Sequence, residues 1–106
     1  MKLINKRLAK LDEELSKYQY LRDRDIRKKD DIVVIQMSKS LFSDLMVMMN
    51  PYVIYLSCGD MPQKYKGYFV ELVSKPDFIA VAYFNVINKQ IHNITEIKEE
   101  TDENNH

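Results

Sequence analysis

Apolar residues near the start of the chain recur at alternating spacings of four and three positions, which is the period of an α-helix. The stripe that they form consists of Ile4, Leu8, Leu11, Leu15 and Tyr18. No glycine or proline interrupts it, and Glu13 and Lys17 stand at the i,i+4 distance that supports an exposed helix face. The spacing therefore predicts an amphipathic helix over residues 3–27.

This stripe has two interpretations, and the sequence leaves both open. In the first, the stripe packs on the chain's own sheet. In the second, the same five residues contact a second copy or another partner, and Arg7 and Asp12 complement each other across a parallel dimer in which Leu8 and Leu15 occupy a positions. The stripe covers just over two heptads, which is shorter than the three to four that indicate an independent coiled coil.

After residue 31 the helical period gives way to short runs that are rich in β-branched and aromatic residues, as in strands. These runs span residues 32–37, 52–57, 67–73 and 78–84. Between the first two, apolar residues at helical spacing predict a helix that begins at Ser38 or Ser40, runs to Met49 and ends at Asn50-Pro51. A weak fifth strand over residues 91–97 competes with a helix, because its isoleucines fit either period.

The order of these elements predicts an α+β fold. An N-terminal amphipathic helix is followed by a β-α-β-β-β unit, which forms one mainly antiparallel sheet of four to five strands covered by helices. The run 78–84 is almost continuously apolar, so we expect a central strand that is buried on both faces. At 106 residues the chain is expected to form a single domain over residues 1–97, followed by a flexible acidic tail over 98–106.

Charge and cysteine content narrow the class of protein. The single cysteine, Cys58, excludes an internal disulfide, and no segment approaches the roughly 18 apolar residues of a membrane span. We therefore expect a cytoplasmic protein without membrane contact.

The two ends of the chain carry opposite net charges. Residues 1–31 hold ten bases and seven acids (+3), and residues 89–106 hold two bases and five acids (−3). This asymmetry fits either a nucleic-acid-facing head or two ends that compensate each other within the fold or across a dimer.

Residues that carry catalysis or bind metals are scarce. The chain has only two histidines, His92 and His106, and neither has a cysteine or an acid at a spacing typical of a catalytic set or a zinc site. Gly59 and Gly67 are the only glycines, and neither opens a phosphate-binding helix. The sequence thus predicts a protein that is not an enzyme and binds no metal or cofactor.

The segment Lys66-Gly67-Tyr68-Phe69-Val70-Glu71-Leu72 resembles the third-strand motif of the RNA-recognition motif family, in which aromatic side chains on the sheet stack on bases. The small residue that the family places between its aromatic residues is missing here, so Tyr68 and Phe69 should point to opposite faces. The resemblance implies an alternative function, which is binding of single-stranded nucleic acid through the basic head and the segment 64–68.

The loop over residues 60–66 is a second candidate contact surface. It holds Met61, Lys64 and Tyr65, and tyrosine and methionine are enriched where proteins bind partners. In the other interpretation, Tyr65 folds back on the sheet. Taken together, these patterns predict a small, non-catalytic protein-interaction or regulatory accessory factor of the kind found in bacteria and phages. We expect it to form a homodimer and to contact partners through the N-terminal helix and this loop.

Overall fold

The computed structural model describes residues 2–49 and 64–98, and within them all side chains except those of residues 2–5 and 47–49. The elements in chain order are α1 (Lys2–Arg24), a one-turn 3-10 helix (Ile26–Lys28), β1 (Asp31–Ser38), α2 (Lys39–Met49), β2 (Lys64–Tyr65), β3 (Tyr68–Val73), β4 (Ile79–Asn85) and β5 (Gln90–Glu96). The predicted α+β class is confirmed, and residues 91–96 belong to a strand, β5. The predicted strand 52–57 and the tail after Lys98 lie outside the described residues.

The five strands form one open, mixed sheet in the order β2-β3-β1-β4-β5. The central strand β1 runs parallel to β3 and antiparallel to β4, while β2 with β3 and β4 with β5 are antiparallel pairs. The sheet is therefore mainly antiparallel. The hairpin between β2 and β3 turns at Lys66 and Gly67, whose φ angles of 51° and 88° are both positive, as in a type I′ turn.

Both described helices pack on the same face of the sheet. Alternate residues of the central strands point toward them, and together they form the core. The core residues are Leu11, Leu15 and Tyr18 of α1, Phe42 and Leu45 of α2, Val33, Ile35 and Met37 of β1, Val70 of β3, and Ile79, Val81 and Tyr83 of β4, joined by Tyr65 and Ile97.

The stripe of α1 thus packs on the chain's own sheet, which is the first of its two interpretations. Leu11 and Leu15 are buried there, and Leu8 is half-buried against the same core. The side chain of Ile4 lies outside the described residues. An additional contact of α1 with another chain stays a prediction.

The two charged residues that a parallel α1 dimer would pair are bonded within their own chain. The buried Arg7 guanidinium donates to Asp77 Oδ1 (2.9 Å) and to the carbonyl oxygens of Asp77 and Ile97 (3.1 and 3.2 Å). Asp12 accepts hydrogen bonds from the Tyr65 hydroxyl and from Lys66 Nζ, both at 2.9 Å. These bonds attach the N-terminal half of α1 to residues at both margins of the sheet. Both side chains therefore have partners within their own chain, and a pairing of Arg7 with Asp12 across a dimer stays a prediction.

The fourth predicted strand corresponds to β4, which is buried on both sides as expected. Val81 and Tyr83 face the helices, whereas Ala80 and Ala82 are buried on the opposite face. That opposite face is more open at its margins, where Phe69 of β3 and Ile94 of β5 are both about half exposed.

Candidate interaction surface

Of the loop over residues 60–66 that the sequence assigned to partner binding, the structure describes Lys64, Tyr65 and Lys66. Tyr65 is only 3% exposed, and its hydroxyl donates to Asp12. Burial, followed by the bond to Asp12, raises the pKa of Tyr65. Lys64 is exposed and lies over the Phe69 ring, with Nζ 4.7 Å from its centroid. Met61 lies outside the described residues. The assignment of Tyr65 to a contact surface is therefore wrong, because the side chain folds back onto the core.

The two aromatic residues of the nucleic-acid-like segment point to opposite faces of β3, as predicted. Tyr68 is half-buried and packs against the core beneath the helices, whereas Phe69 lies on the other face. A base-stacking platform built from both rings is therefore absent from this strand.

Exposed aliphatic side chains gather instead at one end of the sheet. Ile26 of the 3-10 helix is 82% exposed, and Val86 and Ile87, in the turn between β4 and β5, are 42% and 70% exposed. The start of β1 and the end of β4 are neighbours, since Asp31 pairs with Asn85. The Val86 amide also donates to the Asp30 carbonyl oxygen (2.9 Å). We call Val86 and Ile87, together with Ile26 of the 3-10 helix that precedes β1, the apolar end.

The turn that carries Val86 and Ile87 is held by hydrogen bonds from its first residue. Asn85 Oδ1 accepts from the backbone amides of Ile87 and Asn88, both at 3.0 Å, and the Asn85 carbonyl oxygen accepts from the Lys89 amide at 2.8 Å. Tight turns normally carry polar residues at such positions. Two aliphatic side chains are thus presented to solvent on a turn whose backbone is fixed.

A polar cluster lies directly beneath this turn. The side chain of Asp31 is 5% exposed, and its Oδ1 accepts from Asn85 Nδ2 (2.9 Å) and lies 3.1 Å from His92 Nε2. Burial acts to raise the pKa of Asp31, but the bonds from His92 and Asn85 outweigh burial and leave that pKa below its ordinary value of 3.8. The bond to Asp31, followed by that to Asn93, raises the pKa of His92 above its ordinary value of 6.5.

Two tyrosines connect the cluster to α1. The Tyr83 hydroxyl donates to the Tyr18 carbonyl oxygen (2.7 Å), and the Tyr18 hydroxyl contacts the Asn93 carbonyl oxygen and Thr95 Oγ1. The Tyr83 ring lies 4.7 Å from that of Tyr18 and 5.7 Å from the His92 ring, measured between centroids. Burial raises the pKa of Tyr83. The polar cluster is therefore packed against α1 through these two tyrosines.

Charges of both signs surround the apolar end. Residues 22–31 carry five bases and four acids. Some are bonded locally, as Arg27 is to Asp25 (3.0 Å), while Arg22 donates to the carbonyl oxygens of Lys29 and Asp31. Lys29 and Lys89 are exposed. The charged residues around the apolar end, which we call its rim, are therefore of both signs.

The described residues do not assemble a catalytic set. His92 and Asp31 resemble the base and orienting acid of a catalytic triad, but the hydrogen bonds of the His92 ring go to Asp31 and Asn93, and no described hydroxyl or thiol bonds to it. Within residues 2–49 and 64–98, three or more potential metal ligands never come together. A groove of about 390 Å³ between α1 and β5 is lined mostly by charged residues, among them Lys10, Glu13 and Glu14.

None of the described helices has the length and apolarity that crossing a bilayer requires. Comparison of the chain with protein-family models, curated proteins and solved structures gives no match. A functional proposal therefore depends on the geometry of the apolar end and the cluster beneath it.

Proposed function

We propose that this protein is a non-catalytic protein-interaction module that self-associates through the apolar end, and that it acts as a regulatory accessory factor. The observation that carries the proposal is the exposure of Val86 and Ile87 on the turn between β4 and β5, and of Ile26 on the 3-10 helix. The two segments are linked through Asp30, which follows the 3-10 helix and accepts a hydrogen bond from the Val86 amide. Exposed apolar side chains that gather at one place commonly mark protein contacts. A turn that is already fixed also loses little conformational entropy on binding.

The mixed rim favours a second copy of this chain as the partner. In a two-fold interface the same patch meets itself, so the patch must offer both signs of charge to pair without repulsion. The alternating bases and acids of residues 22–31 meet this requirement around an apolar centre. A polyanion such as nucleic acid would instead be repelled by the interspersed aspartates.

The alternative function, binding of single-stranded nucleic acid, is supported by one contact. Lys64 lies over Phe69, which is about half exposed on the open face, so a cation and a ring adjoin there. Such binding should weaken steeply as salt rises, because phosphate contacts release counterions. Contact through the aliphatic apolar end should depend on salt only weakly.

Light scattering coupled to size exclusion tests self-association. The wild-type protein should give twice the 12.6 kDa mass of one chain at about 100 μM, and the double variant Ile26→Asp/Ile87→Asp should give the mass of one chain. The matched control is Ile94→Asp, the same change at a half-exposed isoleucine of β5, which should leave the dimer intact. A wild-type monomer, or a dimer that survives the double change in a folded variant, would contradict the proposal.

A further inference from the structure

Both ring nitrogens of His92 face side-chain oxygens. Nε2 lies 3.1 Å from Asp31 Oδ1, and Nδ1 lies 3.1 Å from Asn93 Oδ1. A neutral imidazole has one N–H and can donate only once, whereas the imidazolium donates from both nitrogens. The arrangement of the two oxygens therefore suits the protonated ring.

The same carboxylate oxygen connects His92 to the apolar end. Asp31 Oδ1 accepts from Asn85 Nδ2, and Asn85 Oδ1 in turn accepts from the amides of Ile87 and Asn88. His92 is thus separated from the backbone of the turn by two side chains. Loss of the imidazolium charge turns the charge-assisted bond between His92 and Asp31 into a weaker neutral one, and the Asp31 oxygen that accepts it also accepts from Asn85.

We propose that protonation of His92 fixes the turn between β4 and β5 in its docking conformation, so that self-association is tighter at acidic than at alkaline pH. This inference rests on the proposed function, because the apolar end is the surface that it regulates. The side chain of His92 is 40% exposed, so its ring can exchange protons with solvent.

The charged and titratable groups around His92 come from four elements. Asp31 of β1 favours the imidazolium, and Lys28 of the 3-10 helix opposes it. Tyr83 of β4 and Tyr18 of α1 lie beside the ring and below it without donating to it. The pKa of His92 is raised, with the bond to Asp31 as the largest cause, followed by the bond to Asn93. The turn between β4 and β5 is therefore fixed in its docking conformation below the ordinary histidine range, and this effect is lost as the pH rises through the raised pKa of His92.

Nuclear magnetic resonance and sedimentation test the coupling in a His106→Gln background, where His92 is the only histidine. The amide signals of Ile87 and Asn88 should titrate with the same midpoint as the His92 ring. The dimer dissociation constant should rise roughly five- to tenfold between about pH 5.5 and about pH 8. In the further variant His92→Gln, both effects should disappear while the protein stays folded.

The outcomes separate this inference from the proposed function. If the protein is a monomer at every pH, the proposed function fails, and the regulation of dimerisation fails with it, whatever the amide titration shows. If the protein is a dimer whose dissociation constant does not change with pH, the proposed function stands and this inference is overturned. This inference is also overturned if the amide signals of Ile87 and Asn88 do not change with the titration of the His92 ring.

Discussion

Replacing Leu11 with alanine should strongly destabilise the protein, because this side chain is completely buried between α1 and the sheet. The change removes three carbon atoms, and the transfer of each to water costs about 0.8 kcal/mol, or about 2.4 kcal/mol in all. The cavity left behind adds to this cost, so we expect a loss of about 3–5 kcal/mol. Since domains of this size are stable by about 5–15 kcal/mol, the loss is a large share of the total.

Urea unfolding followed by circular dichroism measures this loss, with the slope of the transition as a check on two-state behaviour. The matched control is Leu21→Ala, the same substitution on α1 at a leucine that is 52% exposed. The control should change stability by no more than about 0.5 kcal/mol. At protein concentrations where the Leu11→Ala variant is folded, its mass should equal that of the wild type.

The opposite pattern would refute the packing argument. If Leu11→Ala lowered the free energy of unfolding by less than about 1 kcal/mol and converted a dimer to a monomer, the stripe would be a partner surface instead of part of the core. The second interpretation of the stripe would then replace the first.

Three further predictions concern the hairpin turn and the cluster below the apolar end. Tyr83→Phe removes the hydroxyl that donates to the buried Tyr18 carbonyl and should cost about 1–3 kcal/mol in urea unfolding, whereas no loss would show that the bond is dispensable. Gly67→Ala should cost about 1–2 kcal/mol because φ is 88°, although no atom lies within 4 Å of the added Cβ. Gly67→Asn should cost less, and equal losses would point to a steric cause. The stabilisation from His92 should be complete below its ordinary pKa and fall as pH rises through the raised pKa, so a pH-independent difference from His92→Gln would contradict the bond to Asp31.

Much of the fold follows from local patterns in the sequence. The stripe of α1 predicts a helix because its spacing matches only that period, and β4 is recognisable because both its faces are apolar. The helix ends three residues before its predicted end at residue 27, since the Asp25 side chain accepts from the Arg27 amide and caps a separate 3-10 turn. The ambiguity over residues 91–97 is resolved only by pairing with β4, where Tyr83 lies opposite His92.

The parallel pairing of β1 with β3 has no local signal, because strand order depends on contacts between distant parts of the chain. The polar cluster of Asp31, Asn85 and His92 could not be predicted from the sequence for the same reason. Asp31 and His92 are 61 positions apart, and only the sheet brings them together. Tyr65 was misassigned because a tyrosine in a polar segment has the same local pattern whether it is exposed or buried.

The apolar end could have been noticed from one anomaly. Val86 and Ile87 stand between Asn85 and Asn88, two residues that favour turns, and aliphatic residues inside a turn are unusual. Ile26 gives no such signal, because an isolated isoleucine in a charged run also fits the end of a helix. Its exposure becomes evident only from the structure, where it lies on the 3-10 helix and is 82% exposed.

The most direct test of self-association through the apolar end is sedimentation equilibrium of the wild-type protein beside the Ile26→Asp/Ile87→Asp and Ile94→Asp variants at one pH. The account predicts a dimer for the wild type and for Ile94→Asp, and a folded monomer for the double variant. A wild-type monomer at about 100 μM, or a dimer lost in Ile94→Asp but kept in the double variant, would contradict it.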